Sequence, residues 1–189
     1  PTIGALCAGD YTLTVTDVNG CSSAPEPFTI GEALLLVVNT DSTEVSCAGA
    51  CDGTATVTPT GGTSPFTYSW SPAPCGSAAN IPTVTVGIGT WDVTVIGANG
   101  CQADTFVQVT GPTVLTGTIT PTDPICSGSC DGTASANPVG GTSPYTYNWI
   151  DCSTGTPIGQ STQTAVGLCA GDYMVEITDA NGCFFATAC

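Results

Sequence analysis

The chain copies itself with a period close to 80 residues, and this constrains its fold more than any single motif. Three Asn-Gly-Cys signals, each preceded by an alternating apolar pattern, span Tyr11–Cys21, Trp91–Cys101 and Tyr173–Cys183, so the cysteines stand 80 and 82 residues apart. Cys-Asp-Gly-Thr-Ala recurs at 51–55 and 130–134. Gly-Gly-Thr-Ser-Pro-Phe-Thr-Tyr-Ser-Trp at 61–70 has a near copy at 140–149, Gly-Gly-Thr-Ser-Pro-Tyr-Thr-Tyr-Asn-Trp. Self-similarity at a fixed period marks one unit of structure repeated along the chain.

Within each unit the residues alternate with period two, the signature of strands with one buried face. Phe66, Tyr68 and Trp70 share a face, as do Tyr145, Tyr147 and Trp149, while the Thr, Ser and Asn between them point the other way. These strands are read as core strands. An exposed aromatic platform for sugars is the competing reading. The 24 glycines, abundant Thr and Val, and lack of a helical stripe give an all-β chain. Several short strands in about 80 residues match the size of an immunoglobulin-like sandwich.

The expected units are 1–33, the C-terminal half of a sandwich repeat; 34–113, a complete repeat; and 114–189, a repeat lacking the end of its last strand. Strands are expected at 11–16 and 27–30; at 34–39, 53–58, 65–70, 82–86, 91–96 and 104–110; and at 114–120, 132–137, 144–150, 162–166, 172–178 and 184–188. The opening Pro1 reads as the interior of a longer chain, or the chain is a subunit whose ends neighbours complete. The junctions Ile30–Leu34 and Thr110–Val114 are too short to be flexible tethers. Tandem immunoglobulin-like or PKD-like sandwiches stacked end to end as a stiff rod follow, each adding about 30–40 Å.

Composition narrows the function. The chain has fifteen acids and no Lys, Arg or His, a formal charge of -15. Nothing can neutralise phosphates, so nucleic acid is excluded as a partner. Catalysis lacks a basic side chain to act as base or clamp, and no carboxylate pair stands out, so no catalytic residue is nominated and the chain is not read as an enzyme. No run approaches the roughly 20 apolar residues that span a bilayer, and no membrane insertion is expected. Twelve cysteines in so polar a chain indicate disulfides and an extracellular location. The alternative, a four-thiolate zinc centre from Cys47-x3-Cys51 and Cys126-x3-Cys130, leaves the other cysteines at scattered spacings.

Asp52 and Asp131 follow a cysteine in a first inter-strand loop, and Asp17 and Asp179 open the Asn-Gly turn. Turn chemistry, in which Asp accepts bonds from its own backbone, is the plainer reading. Calcium is the alternative ligand, though no stretch shows three acids at alternating positions. No cofactor is otherwise expected.

Cys47-Ala-Gly-Ala-Cys-Asp-Gly-Thr-Ala, the Gly-Gly-Thr-Ser-Pro aromatic strand, Gly-x-Trp/Tyr-x-Val and Asp-Ala-Asn-Gly-Cys together resemble the SprB-type repeat. Such repeats occur in very large cell-surface adhesins of gliding Bacteroidota and are related in fold to PKD-type sandwiches. The resemblance implies tandem arrays at a cell surface and a role in adhesion or filament formation. Its absence of basic residues and its surplus of cysteines set this chain apart from the family's usual pattern. By analogy with a PKD-type sandwich, the loop holding Cys47 or Cys126 lies at one pole, and the turn holding Cys21, Cys101 or Cys183 at the other. Poles of consecutive repeats meet, which implies a Cys47–Cys183 bridge between repeats, with Cys101 reaching back and Cys126 forward. The alternative is Cys47–Cys101 and Cys126–Cys183 within repeats. Cys51–Cys75 and Cys152–Cys169 are the expected remaining pairs.

Two functions follow. The first is a structural segment of an extracellular filament or surface adhesin, a disulfide-stapled rod whose partners are copies of itself or neighbouring repeats. The second is a carbohydrate- or surface-binding module of a secreted multidomain protein, with surface glycans as partners.

Overall fold

Alternation of Thr with Val, Ala and aromatic residues leaves the chain no choice but strands, and the computed structural model contains no helix among its described residues, 4, 6–76 and 78–189. The first few residues of the unit expected at 1–33 are outside that range. The rest of that unit is a hairpin, β1 (Gly9–Leu13) paired antiparallel with β2 (Glu26–Ile30).

The second repeat has six strands: β3 (Val37–Thr43), β4 (Gly53–Thr60), β5 (Phe66–Ser71), β6 (Thr83–Val86), β7 (Gly89–Gly97) and β8 (Gln102–Val109). They form two antiparallel sheets, ordered β3-β4-β6 and β5-β7-β8. The inward residues Ala55 and Val57, Val84 and Val86, Trp70, and Trp91, Val93 and Val95 interleave into one core between them. Burying a Val or Trp of this kind is worth about 1.5–3 kcal/mol. Phe66 and Tyr68 pack on the core edge, so the aromatic face expected of β5 is a core face.

The third repeat follows the same plan with β9 (Thr116–Thr122), β10 (Gly132–Val139), β11 (Thr146–Asp151), β12 (Thr156–Pro157), β13 (Thr164–Leu168), β14 (Tyr173–Thr178) and β15 (Phe184–Ala186). Its sheets are β13-β10-β9 and β12-β11-β14-β15. Trp149 is fully buried and donates its indole N–H to Thr162 O at 2.9 Å.

Strand boundaries differ from expectation at the first strand of each repeat. β3 starts at Val37 because Leu34 and Leu35 are spent on the Gly-Gly turn: Gly62 N donates to Leu34 O at 3.0 Å. Gly61 sits at φ 70 with its Cα so close that a Cβ would run into the Leu35 carbonyl. Gly140 and Gly141 repeat the arrangement against Val114 and Thr113. The short β12 was not anticipated; Asp151 turns the chain by accepting from Ser153 N and Oγ, which folds 156–157 back onto β11.

Candidate functional site

The residues with the most specific geometry lie where the second and third repeats meet. On the second repeat, the loop after β3 is tied down at both ends. Val45 is buried and donates to Thr110 O at 3.1 Å, and Asp52 Oδ1 accepts from Ser46 N at 3.0 Å. A tight turn, with Ala50 N donating to Cys47 O at 2.9 Å, leaves Cys47 facing outward at the pole.

On the third repeat the Asn-Gly turn supplies the other half. Asp179 Oδ1 accepts from Asn181 N at 2.9 Å and Cys183 N at 2.8 Å, while its Oδ2 accepts from Thr142 N at 2.8 Å. One buried carboxylate therefore fixes the turn and ties it to the Gly-Gly loop. Burial alone would raise the Asp179 pKa, but the backbone donors, Cys183 first, outweigh it and hold the carboxyl below the usual range.

These halves are joined covalently. Cys47 and Cys183, 136 residues apart in sequence, form a disulfide with Cα atoms 5.7 Å apart, within the range such bonds require. Beside it Asn181 Nδ2 donates to Ser46 O at 2.9 Å, across the same joint, and to Thr142 Oγ1 at 3.2 Å. A crevice of about 290 Å3 runs along the bridge between Ala48, the linker Thr113–Leu115 and Phe184. The joint is thus a bond, a read carbonyl and a packed linker.

The other cysteines divide. Cys51 bonds Cys75 inside the second repeat. The expected Cys152–Cys169 pair is not formed: Cys169 bonds Cys130, and Cys152 bonds Cys189. The reason is a substitution between repeats. Cys169 occupies the place of Gly87, where a Cβ would lie 4.0 Å from Cys51 Sγ. In the third repeat a thiol at that place meets Cys130 directly. Cys189 in turn takes the register position of Val107 on the last strand, opposite Cys152. The intra-repeat pairs Cys47–Cys101 and Cys126–Cys183 are absent; Cys101 and Cys126 are exposed free thiols, as are Cys7 and Cys21.

The four aspartates weighed for calcium are occupied by their own loops. Asp17 Oδ1 accepts from Asn19 N and Cys21 N, both at 2.9 Å. Asp131 accepts from the Ser129 hydroxyl at 2.6 Å and from Ile125 N at 3.1 Å, and these two bonds hold its pKa below the usual carboxylate range. Ser46, through its hydroxyl and then its backbone N–H, does the same for Asp52. Among the described residues no three potential ligands gather as a metal site. Asn181 was missed from sequence because Asn in Asn-Gly reads only as a turn residue; nothing local signals that its amide crosses to another repeat.

The fold and joint define a class: tandem immunoglobulin-like β-sandwiches in an all-β chain. Residues 39–74 and 118–154 match the family model of the SprB repeat, one match in each of the two larger repeats. The chain carries SprB repeats. No curated protein sequence matches it. Among solved structures it is similar to the three N-terminal domains of the bacteriophage RB49 highly immunogenic outer capsid protein (Hoc), with a TM-score of 0.50 and 20% identity, over 80% of this chain and 57% of that one. Weaker likenesses are to Drosophila OTK extracellular domains 3–5 (TM-score 0.33, 14% identity, 95% and 68% coverage) and to the N-terminal four Ig domains of Dscam1 (0.30, 13%, 79% and 38%). The chain spans little more than half the length of the Hoc structure it matches, and the likeness is one of fold.

Proposed function

We propose that the chain is a structural segment of an extracellular filament or surface adhesin, in which sandwich repeats are locked in line to bear load. The observation that carries this is the joint: a disulfide between Cys47 and Cys183, reinforced by Asn181 on Ser46 O, clamps two repeats that a six-residue linker already holds close. A binding module gains nothing from such a clamp, whereas a tether under tension does. The SprB repeat, at home in cell-surface adhesins, and the oxidised cysteines support a location outside the cell. Repeat and immunoglobulin-like families typically serve as structural modules rather than enzymes.

The tryptophans bear on the glycan-binding alternative. Trp70, Trp91 and Trp149 are 5%, 7% and 0% exposed, so none offers a face to a sugar. Small-angle scattering tests the reading. The oxidised chain is expected to give a rod profile with about 30–40 Å per repeat, and Cys47→Ser to broaden it by letting the repeats swing. A compact globule, or an unchanged profile in the variant, overturns the load-bearing joint; selective binding on a glycan array would favour the alternative.

A further inference from the structure

The joint between the second and third repeats has two halves, and each half is present a second time, unused. The loop after β9 duplicates the loop that holds Cys47: Ser129 N donates to Cys126 O at 3.0 Å as Ala50 N does to Cys47 O, and Asp131 accepts from Ile125 N as Asp52 does from Ser46 N. It presents Cys126 exposed, with the Ile125 carbonyl where the joint uses that of Ser46. The turn between β1 and β2 duplicates the turn that holds Cys183: Asp17 N donates to Cys21 O and Gly20 N to Asp17 O, as Asp179 and Gly182 do. Its Asp17 Oδ1 accepts from Asn19 N and Cys21 N, leaving Cys21 an exposed thiol. The two unused halves lie at opposite ends of the chain, so they face outward in opposite directions along the stacked repeats.

We propose that one copy of this chain docks its Asp17–Cys21 turn onto the 123–131 loop of a second copy and forms an intermolecular Cys126–Cys21 disulfide, repeating between molecules the joint seen within one. Asn19 donates to the second copy's Ile125 carbonyl, as Asn181 donates to Ser46. The interface is heterologous, head to tail, and does not close on itself, so it propagates as an open chain. The covalent step is thiol–disulfide exchange with a small-molecule disulfide. One thiolate attacks it and releases one small thiol; the second thiolate attacks the resulting mixed disulfide and releases the other. Two protein thiols are oxidised and one small disulfide is reduced to two thiols. The joint rests on the rod reading above and names the partner at its ends.

The test is oxidation of the full chain, its internal bridges intact, with oxidised glutathione at about 0.5 M salt, which screens two chains of charge -15 from one another. A ladder of covalent multimers on a non-reducing gel is expected, with a cross-linked peptide pair containing Cys21 and Cys126. Cys21→Ser and Cys126→Ser should each abolish the ladder beyond dimers, and Cys101→Ser should leave it intact. Asn19→Ala, which touches neither sulfur, should slow multimer formation about fivefold, the worth of one net hydrogen bond. Monomers only, a ladder that survives Cys126→Ser, or a Cys126–Cys101 peptide overturns the proposal. Recovery of the Cys47–Cys183 peptide from the same digest shows in each case whether the internal joint, and with it the rod, still stands.

Discussion

The second and third repeats share a plan and reach it by different means. The second buries Val57, Val84, Val86, Trp91, Val107 and Val109 where the third, at the same register positions, has Ala136, Ala165, Leu168 and Tyr173 and a last strand that ends at Ala186. The third repeat has less apolar volume between its sheets, and it carries two internal disulfides against one. Cys189 replaces Val107 in register, so a sulfur bond stands where the other repeat has a packed side chain. Cross-links and apolar burial are alternative ways to offset the same conformational entropy in a domain of this size.

Reduction is the sharpest way to break that comparison. Loops of 37 and 39 residues give about 4 kcal/mol of stabilisation for each bridge of the third repeat, a large part of a total that runs about 5–15 kcal/mol per domain. Under increasing reductant, hydrogen exchange should show β10, β13 and β14 losing protection well before β4, β6 and β7. Simultaneous loss in both repeats would mean that the valine-rich core is no sturdier than the alanine-rich one.

Tryptophan truncation comes next. Trp149→Ala and Trp70→Ala each remove the largest side chain of a core and an indole bond, to Thr162 O and Ile81 O respectively, both at 2.9 Å. A cost of about 3–5 kcal/mol is expected for each. The third repeat, with the smaller surrounding core, should lose the larger share of its stability, read as the lower of two melting transitions in oxidised protein. Equal shifts would dissolve the distinction between the cores.

The turns separate the repeats on a smaller scale. Asp179 of the third repeat corresponds to Gly97 of the second, where a Cβ would come within 3.0 Å of Thr63 O and of Asn99 Oδ1. The glycine turn lets Asn99 accept from Cys101 N at 3.2 Å, a single bond in place of three. Asp179→Ala strands the backbone donors of Thr142, Asn181 and Cys183 and should cost about 1–3 kcal/mol. It should also slow re-formation of the Cys47–Cys183 bridge, because the same carboxylate aims Cys183. Refolding from the reduced state, followed by trapping of the bridge, measures both.

Much of this was legible in the sequence because it rests on periodicity. The alternation around Trp70 and Trp149 gave both core strands, and the 80-residue period gave the tandem sandwiches. The first strand of each repeat was displaced because Leu34 and Leu35 look like strand residues, while their carbonyls answer to glycines 26 residues later. Disulfide pairing failed where the repeats diverge: Cys169 against Gly87 becomes visible only after the bulge at Gly132/Thr133 is allowed for. Cross-repeat contacts such as Asn181 to Ser46 are set by how domains stack, and no local pattern encodes that.

Acid gives the smallest effect and the finest test of the turn comparison. Asp179 has a folded pKa below its unfolded value of about 3.9. A depressed carboxylate contributes stability that is fully present above the unfolded pKa and lost as pH falls through the folded one. The third repeat should therefore weaken as pH drops below about 4, partly through Asp179 and partly through Asp131 and Asp151, which their own serine bonds depress in the same direction. The second repeat has Asp52 and Asp104 held down likewise, but no acid in its Asn-Gly turn. Stability of the third repeat followed from pH 6 to 2 should fall more steeply than that of the second, and Asp179→Ala should flatten part of that slope while lowering the plateau. A slope unchanged by the substitution would show that the turn carboxylate is already protonated, or free of its backbone donors, in the folded protein.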